Sequence, residues 1–124
     1  MASKIPLAYT FGNHMHWVDM EWLWGYDVLP GSTDDMLTFC KGSNVKGGLN
    51  FDGIGYEKLA SESPEHITKL REAIAEGTIE VIGASYGQPY GLFHGGESNI
   101  RQRVYGIRTC LRVLGARPRT FWEE

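Results

Sequence analysis

Short apolar runs alternate with segments of helical period along this chain. That alternation constrains its fold more than any other feature. Ile5 to Phe11, Val45 to Asp52, Thr78 to Ser85 and the start at Arg119 to Trp122 read as four strands. Met20 to Trp24 reads as the start of a short helix, broken at Pro30-Gly31-Ser32. Ser32 or Thr33 caps a second helix that runs to Lys41, with Met36, Leu37, Phe39 and Cys40 as its apolar stripe, and Gly42-Ser43-Asn44 ends it. The best-signalled helix begins at Ser63-Pro64 and stops at Gly77, with Ile67, Leu70 and Ile74 on one face. A long helix over Ser98 to Leu114 carries Ile100, Val104, Ile107, Leu111 and Leu114 at alternating four- and three-residue steps; Gly115 stops it and Pro118 follows. Strands that alternate with helices predict an α/β fold on a parallel sheet with right-handed crossovers.

Composition narrows the function classes. The chain has 124 residues, 42% hydrophobic and 22% charged, which excludes intrinsic disorder. No apolar run approaches the roughly 18 residues of a membrane span, and residues 1–12 lack the pattern of a secretory signal. A net charge of −3 with scattered cations argues against a nucleic-acid partner. Cys40 and Cys110 match no metal spacing and read as reduced thiols, so the expected setting is cytoplasmic.

In parallel α/β folds, chemistry gathers at the carboxyl ends of the strands. After the first strand come His14, His16 and Asp19. In extended chain His14 and His16 point to the same side. Two imidazoles with a carboxylate three residues on suit a divalent metal such as zinc, or a sugar hydroxyl. Asp19 equally suits an N-cap. After the second strand, Asp52 stands among glycines, as turn chemistry or as a pocket residue. After the third, five of the 16 glycines lie between Gly83 and Gly96, interleaved with Tyr86, Gln88, Tyr90, Phe93 and His94. Rings and hydrogen-bonding groups on a closely approachable backbone suit a polar, ring-shaped ligand. No phosphate-binding glycine motif is present. Glu97 and Arg101 are spaced for an i,i+4 pair. After the fourth strand stand Glu123 and Glu124, where a catalytic carboxylate is expected. His66, inside a charged helix, is expected at the surface.

These pieces resemble glycoside hydrolase family 38, the α-mannosidases. The resemblance is carried by Gly77 to Gly83 and on through Pro89, by Gly96-Glu97-Ser98-Asn99-Ile100-Arg101-Gln102, by Gly106, by Gly115-Ala116-Arg117-Pro118 and by Phe121-Trp122. It implies the first four strands of a seven-stranded-type β/α-barrel with helices outside, forming the N-terminal part of a catalytic domain. It also implies a retaining glycosidase with a carbohydrate substrate, no nucleic-acid or membrane partner, and a zinc cofactor. His14, His16 and Asp19 are the expected metal ligands; Asp19 and Glu124 are the expected catalytic carboxylates. Trp17, Asp52, Tyr86, Gln88, Tyr90 and His94 are expected to bind substrate. The chain departs from the family where His-x-Asp becomes His16-Trp17-Val18-Asp19, and where Tyr90 replaces a loop carboxylate. An opening His-x-His is shared with family 57, whose members act on α-glucans, so that activity is the alternative, together with a non-catalytic carbohydrate binder. A closed barrel takes roughly 200–250 residues. The 124 residues are therefore expected to be about half a domain, inactive alone and with apolar surface exposed.

Overall fold

The computed structural model describes residue 5, residues 11–15, 23, 25, 27–87 and 91–121. In chain order the elements are strand β1 (Phe11–Met15), helix α1 (Val28–Ser43), strand β2 (Gly47–Phe51), helix α2 (Gly53–Glu62), helix α3 (Pro64–Ala75), strand β3 (Ile79–Val81) and helix α4 (Gly96–Leu114). The strands form one parallel sheet in the order β1-β2-β3. Phe11 pairs with Gly47, His14 with Asn50, Gly47 with Ile79 and Leu49 with Val81.

Side chains alternate across the sheet. Met15, Leu49, Phe51, Ile79 and Val81 are buried and join the core with Leu29, Met36 and Cys40 of α1, Tyr56 and Leu59 of α2, Ile67 and Leu70 of α3, and Cys110, Val113 and Leu114 of α4. Phe51 and Tyr56 stack at 5.5 Å between ring centroids. Gly47 has no side chain because none fits: a Cβ there would stand 2.4 Å from Met36 Cε and 2.8 Å from Cys40 Sγ.

Several expectations are corrected. The first strand reaches Met15, so His14 lies inside it and not beyond its end. Pro30 does not break a helix. It sits in the first turn of α1, where its missing N–H costs nothing. The Asp52-Gly53 turn is the start of α2, a helix that two glycines concealed. Pro64 cannot continue that helix, so the chain breaks at Ser63 and restarts as α3. The third strand is shorter than expected, and no fourth strand forms among the described residues. The C-terminal segment nonetheless runs beside the exit of β3, where Gly83 N–H donates to Thr120 O at 2.9 Å. The bounds of α3 agree with the sequence, with Gly77 left-handed at φ 74°.

Helix α4 also ends as expected, at left-handed Gly115, but the face it buries differs. Gly106, Thr109, Cys110, Val113 and Leu114 are inside, whereas Ile100, Val104 and Leu111 are exposed. The cause is Gly106. It lets the helix sit against the backbone of Ala84 and Ser85, and this approach outweighs the larger apolar side chains on the flank. His66 is buried, not at the surface. Its Nε2 lies 3.1 Å from Asp34 Oδ2 of α1, and that contact draws it between the two helices. Cys40 and Cys110 are free and buried.

Candidate functional site

The loop leaving β3 is held from both sides. On one side is the first turn of α2. Gly53 N–H donates to Ser85 O at 2.8 Å and Ile54 N–H to Tyr86 O at 2.9 Å. These are helix-start donors that lack partners within their own helix. The Asp52 side chain takes the next one, from Gly55 N–H at 3.0 Å. On the other side, α4 offers Gln102, whose carbonyl accepts from Tyr86 N–H at 3.0 Å and whose Oε1 accepts from Gly87 N–H at 2.9 Å. Gly83 and Ala84 take left-handed conformations within this clamp, at φ 79° and 76°. For Ala84 that is a strained state, which the surrounding bonds hold in place.

The face of the sheet turned away from the helices is different in kind. Its positions are Gly12 and His14 on β1, Gly48 and Asn50 on β2, and Glu80 on β3, followed by Ile82. They line a cleft of about 970 Å³. Gly12 pairs with Gly48 and Gly48 with Glu80; the Ile82 side chain lies over Gly48, 3.0 Å from where a Cβ would stand. Nearer the carboxyl ends, His14 stands beside Asn50. Thr120 Oγ1 donates to Glu80 Oε1 at 3.3 Å and closes the far side. Three cations, Lys46, Arg117 and Arg119, also line the cleft.

Of the residues expected from sequence, His14 lies on this face. Asp52 is buried as the α2 cap. Tyr86 points to a cluster between α2 and α4, where its hydroxyl donates to Glu57 Oε2 at 3.0 Å. Thr109 and Arg112 bond to the other oxygen of Glu57. The carboxylate next to Tyr86, aided by burial, holds its phenol above the ordinary range, because ionisation would set two anions face to face. His94 is exposed, and its carbonyl accepts from Asn99 Nδ2 at 3.4 Å. His16, Trp17, Asp19, Gln88, Tyr90 and Glu124 lie outside the described residues. The Glu97 and Arg101 pair forms, at 2.6 Å.

Sequence reasoning missed Asn50 and Glu80. The signal was present: Leu49, Asn50 and Phe51 alternate apolar and polar, as do Ile79, Glu80 and Val81. A strand expected to be buried on both faces hides that alternation.

Zinc was expected on His14, His16 and Asp19. Among the described residues no group of three His, Cys, Asp or Glu side chains converges, and His14 is the one expected ligand they contain. The other two expected ligands, His16 and Asp19, lie outside the described residues.

Comparison with known proteins agrees with this architecture. The structure is similar to the crystal structure of 4-alpha-glucanotransferase from Thermococcus litoralis, with a TM-score of 0.65 and 20% sequence identity. The match covers 91% of this chain and 18% of that one, so the chain spans less than a fifth of that enzyme's length. None of the curated proteins matches it. The family model for the glycosyl hydrolases family 38 N-terminal domain matches residues 9–124. A parallel sheet with one largely polar face and a pinned loop at its carboxyl rim is thus set in a chain that belongs to glycosyl hydrolase family 38, as part of its N-terminal domain.

Proposed function

We propose that this chain acts in the hydrolysis of α-mannosidic bonds, as part of a retaining glycoside hydrolase. The observation that carries the reading is the match to the family 38 N-terminal domain across residues 9–124. The cleft is compatible with it. Ile82 offers an apolar patch to a sugar ring, and His14 and Asn50 offer groups for its hydroxyls. Retaining chemistry needs two carboxyl groups about 5–5.5 Å apart. One attacks the anomeric carbon while the other protonates the departing oxygen; water then releases the sugar, with the second group acting as base. Asp19 and Glu124 are the proposed pair. His14, with His16 and Asp19, is the proposed zinc set.

A second reading is action on α-glucans. Its motive is the structural neighbour, a 4-alpha-glucanotransferase. Calorimetric titration with α-mannobiose and with maltose separates the two. Preferential binding of α-mannobiose is expected. Preference for maltose replaces the first reading with the second, and binding of neither refutes both. Elemental analysis after dialysis against zinc tests the metal: retention of zinc that His14→Ala abolishes is expected, and no retention removes zinc from the proposal.

A further inference from the structure

We propose that Asn50 is a sugar-hydroxyl-binding residue, its amide receiving a saccharide laid in the cleft beside His14. The inference deepens the carbohydrate reading above and rests on it.

Asn50 is the penultimate residue of β2, near the carboxyl end where ligands of parallel sheets bind. It is 7% exposed, and its side chain lines the cleft rather than the apolar core. On the opposite face the neighbouring positions are apolar, Leu49 and Phe51. A residue chosen for packing alone would be apolar here too. The surroundings also make room for this side chain. Gly83 is left-handed, and a Cβ on it would stand 1.9 Å from Asn50 Oδ1. The amide therefore occupies the space that any other residue at position 83 would fill.

The chemistry of the face selects the ligand class. An amide offers donors and an acceptor side by side, which matches adjacent hydroxyls that each donate and accept. Gly12 leaves backbone open on the floor, and the Ile82 side chain, 3.0 Å from where a Gly48 Cβ would stand, adds an apolar patch. A polyhydroxylated ring offers hydroxyls to the amide and a C–H face to that patch.

The test uses the intact chain, labelled with ¹⁵N. The Asn50 side-chain NH₂ signals are identified by their absence in Asn50→Asp. They are expected to move saturably as methyl α-D-mannoside or maltose is added. Asn50→Leu is expected to weaken saccharide binding about tenfold or more, the scale of one or two lost hydrogen bonds. Its thermal midpoint is expected to stay or rise, since the side chain lines the cleft rather than the apolar core. If saccharide moves other signals but not those of Asn50, and Asn50→Leu binds as well as the wild type, the proposal is overturned while the carbohydrate reading stands. If Asn50→Leu loses thermal stability and the Asn50 NH₂ signals do not respond to sugar, the amide is structural and the proposal is overturned. If the wild-type chain binds neither sugar, the carbohydrate reading falls and takes the proposal with it.

Discussion

Gly106 offers the sharpest test of how this fold is held, because two general rules predict opposite signs for its replacement by alanine. In a helix interior, Gly→Ala adds about 1 kcal/mol of stability. Here the new Cβ would lie 2.2 Å from Ala84 O and 2.7 Å from the carbonyl carbons of Ala84 and Ser85. All three are backbone atoms, so no rotamer change relieves the clash. Relief requires helix α4 and the loop to separate by roughly 1 Å, an overpacking that costs about 1–3 kcal/mol. The loop resists, because Gly53 N–H donates to Ser85 O at 2.8 Å and Tyr86 N–H to Gln102 O at 3.0 Å. Weakening both adds about 1 kcal/mol each. After the helical gain is subtracted, a net loss of about 2–4 kcal/mol remains, or roughly 8–16 °C in thermal midpoint for a chain of this size. The control is Gly96→Ala in the first turn of the same helix, where a Cβ meets nothing within 4 Å. It is expected to gain a few tenths of a kcal/mol. Urea unfolding followed by circular dichroism measures both variants. A Gly106→Ala chain as stable as the wild type would refute the close approach, as would a Gly96→Ala chain that loses as much.

Other consequences are open to measurement. Asp52→Ala removes the acceptor for Gly55 N–H and is expected to cost about 1–2 kcal/mol in urea unfolding; no loss would show the cap to be idle. The Asp34 carboxyl is held below its ordinary range, chiefly by the hydrogen bond from Lys69 at 2.7 Å and then by that from His66. A carboxyl whose folded-state pKa is depressed adds stability above its unfolded pKa, near pH 4, and loses it as pH falls through the folded value. Asp34 is half exposed, so the gain stays below about 1 kcal/mol. Stability should thus fall less steeply on acidification in Asp34→Asn than in the wild type; identical profiles would show that the pair contributes nothing. Burial pushes the Cys110 thiol up to about 12. Labelling by iodoacetamide at pH 8 should therefore be negligible in the native chain and rapid in urea, whereas fast native labelling would mean that the α4 interface opens.

Local chemistry was enough for part of this protein. Ser63-Pro64 and Gly77 mark the bounds of α3, because proline cannot join the helix before it and glycine accepts the left-handed exit. Glu97 and Arg101 pair because four residues bring them together on any helix. The motifs from Gly77 through Trp122 were enough to indicate the family. Tertiary structure decided what no window of sequence contains. Gly53 and Gly55 read as a turn, yet they begin α2, because Gly53 must admit the backbone of Tyr86 and its N–H completes the Ser85 carbonyl. Ile100, Val104 and Leu111 have the spacing of a buried stripe, yet Gly106 rotates α4 and leaves them exposed. His66 looks like a surface residue until α1 brings Asp34 to it. Asn50 looks like one polar interruption in a strand until the sheet sets it beside His14 and opposite the empty side of Gly83. In each case the deciding partner lies far along the chain. Close backbone approach and buried pairing are properties of two segments together, and neither segment carries them alone.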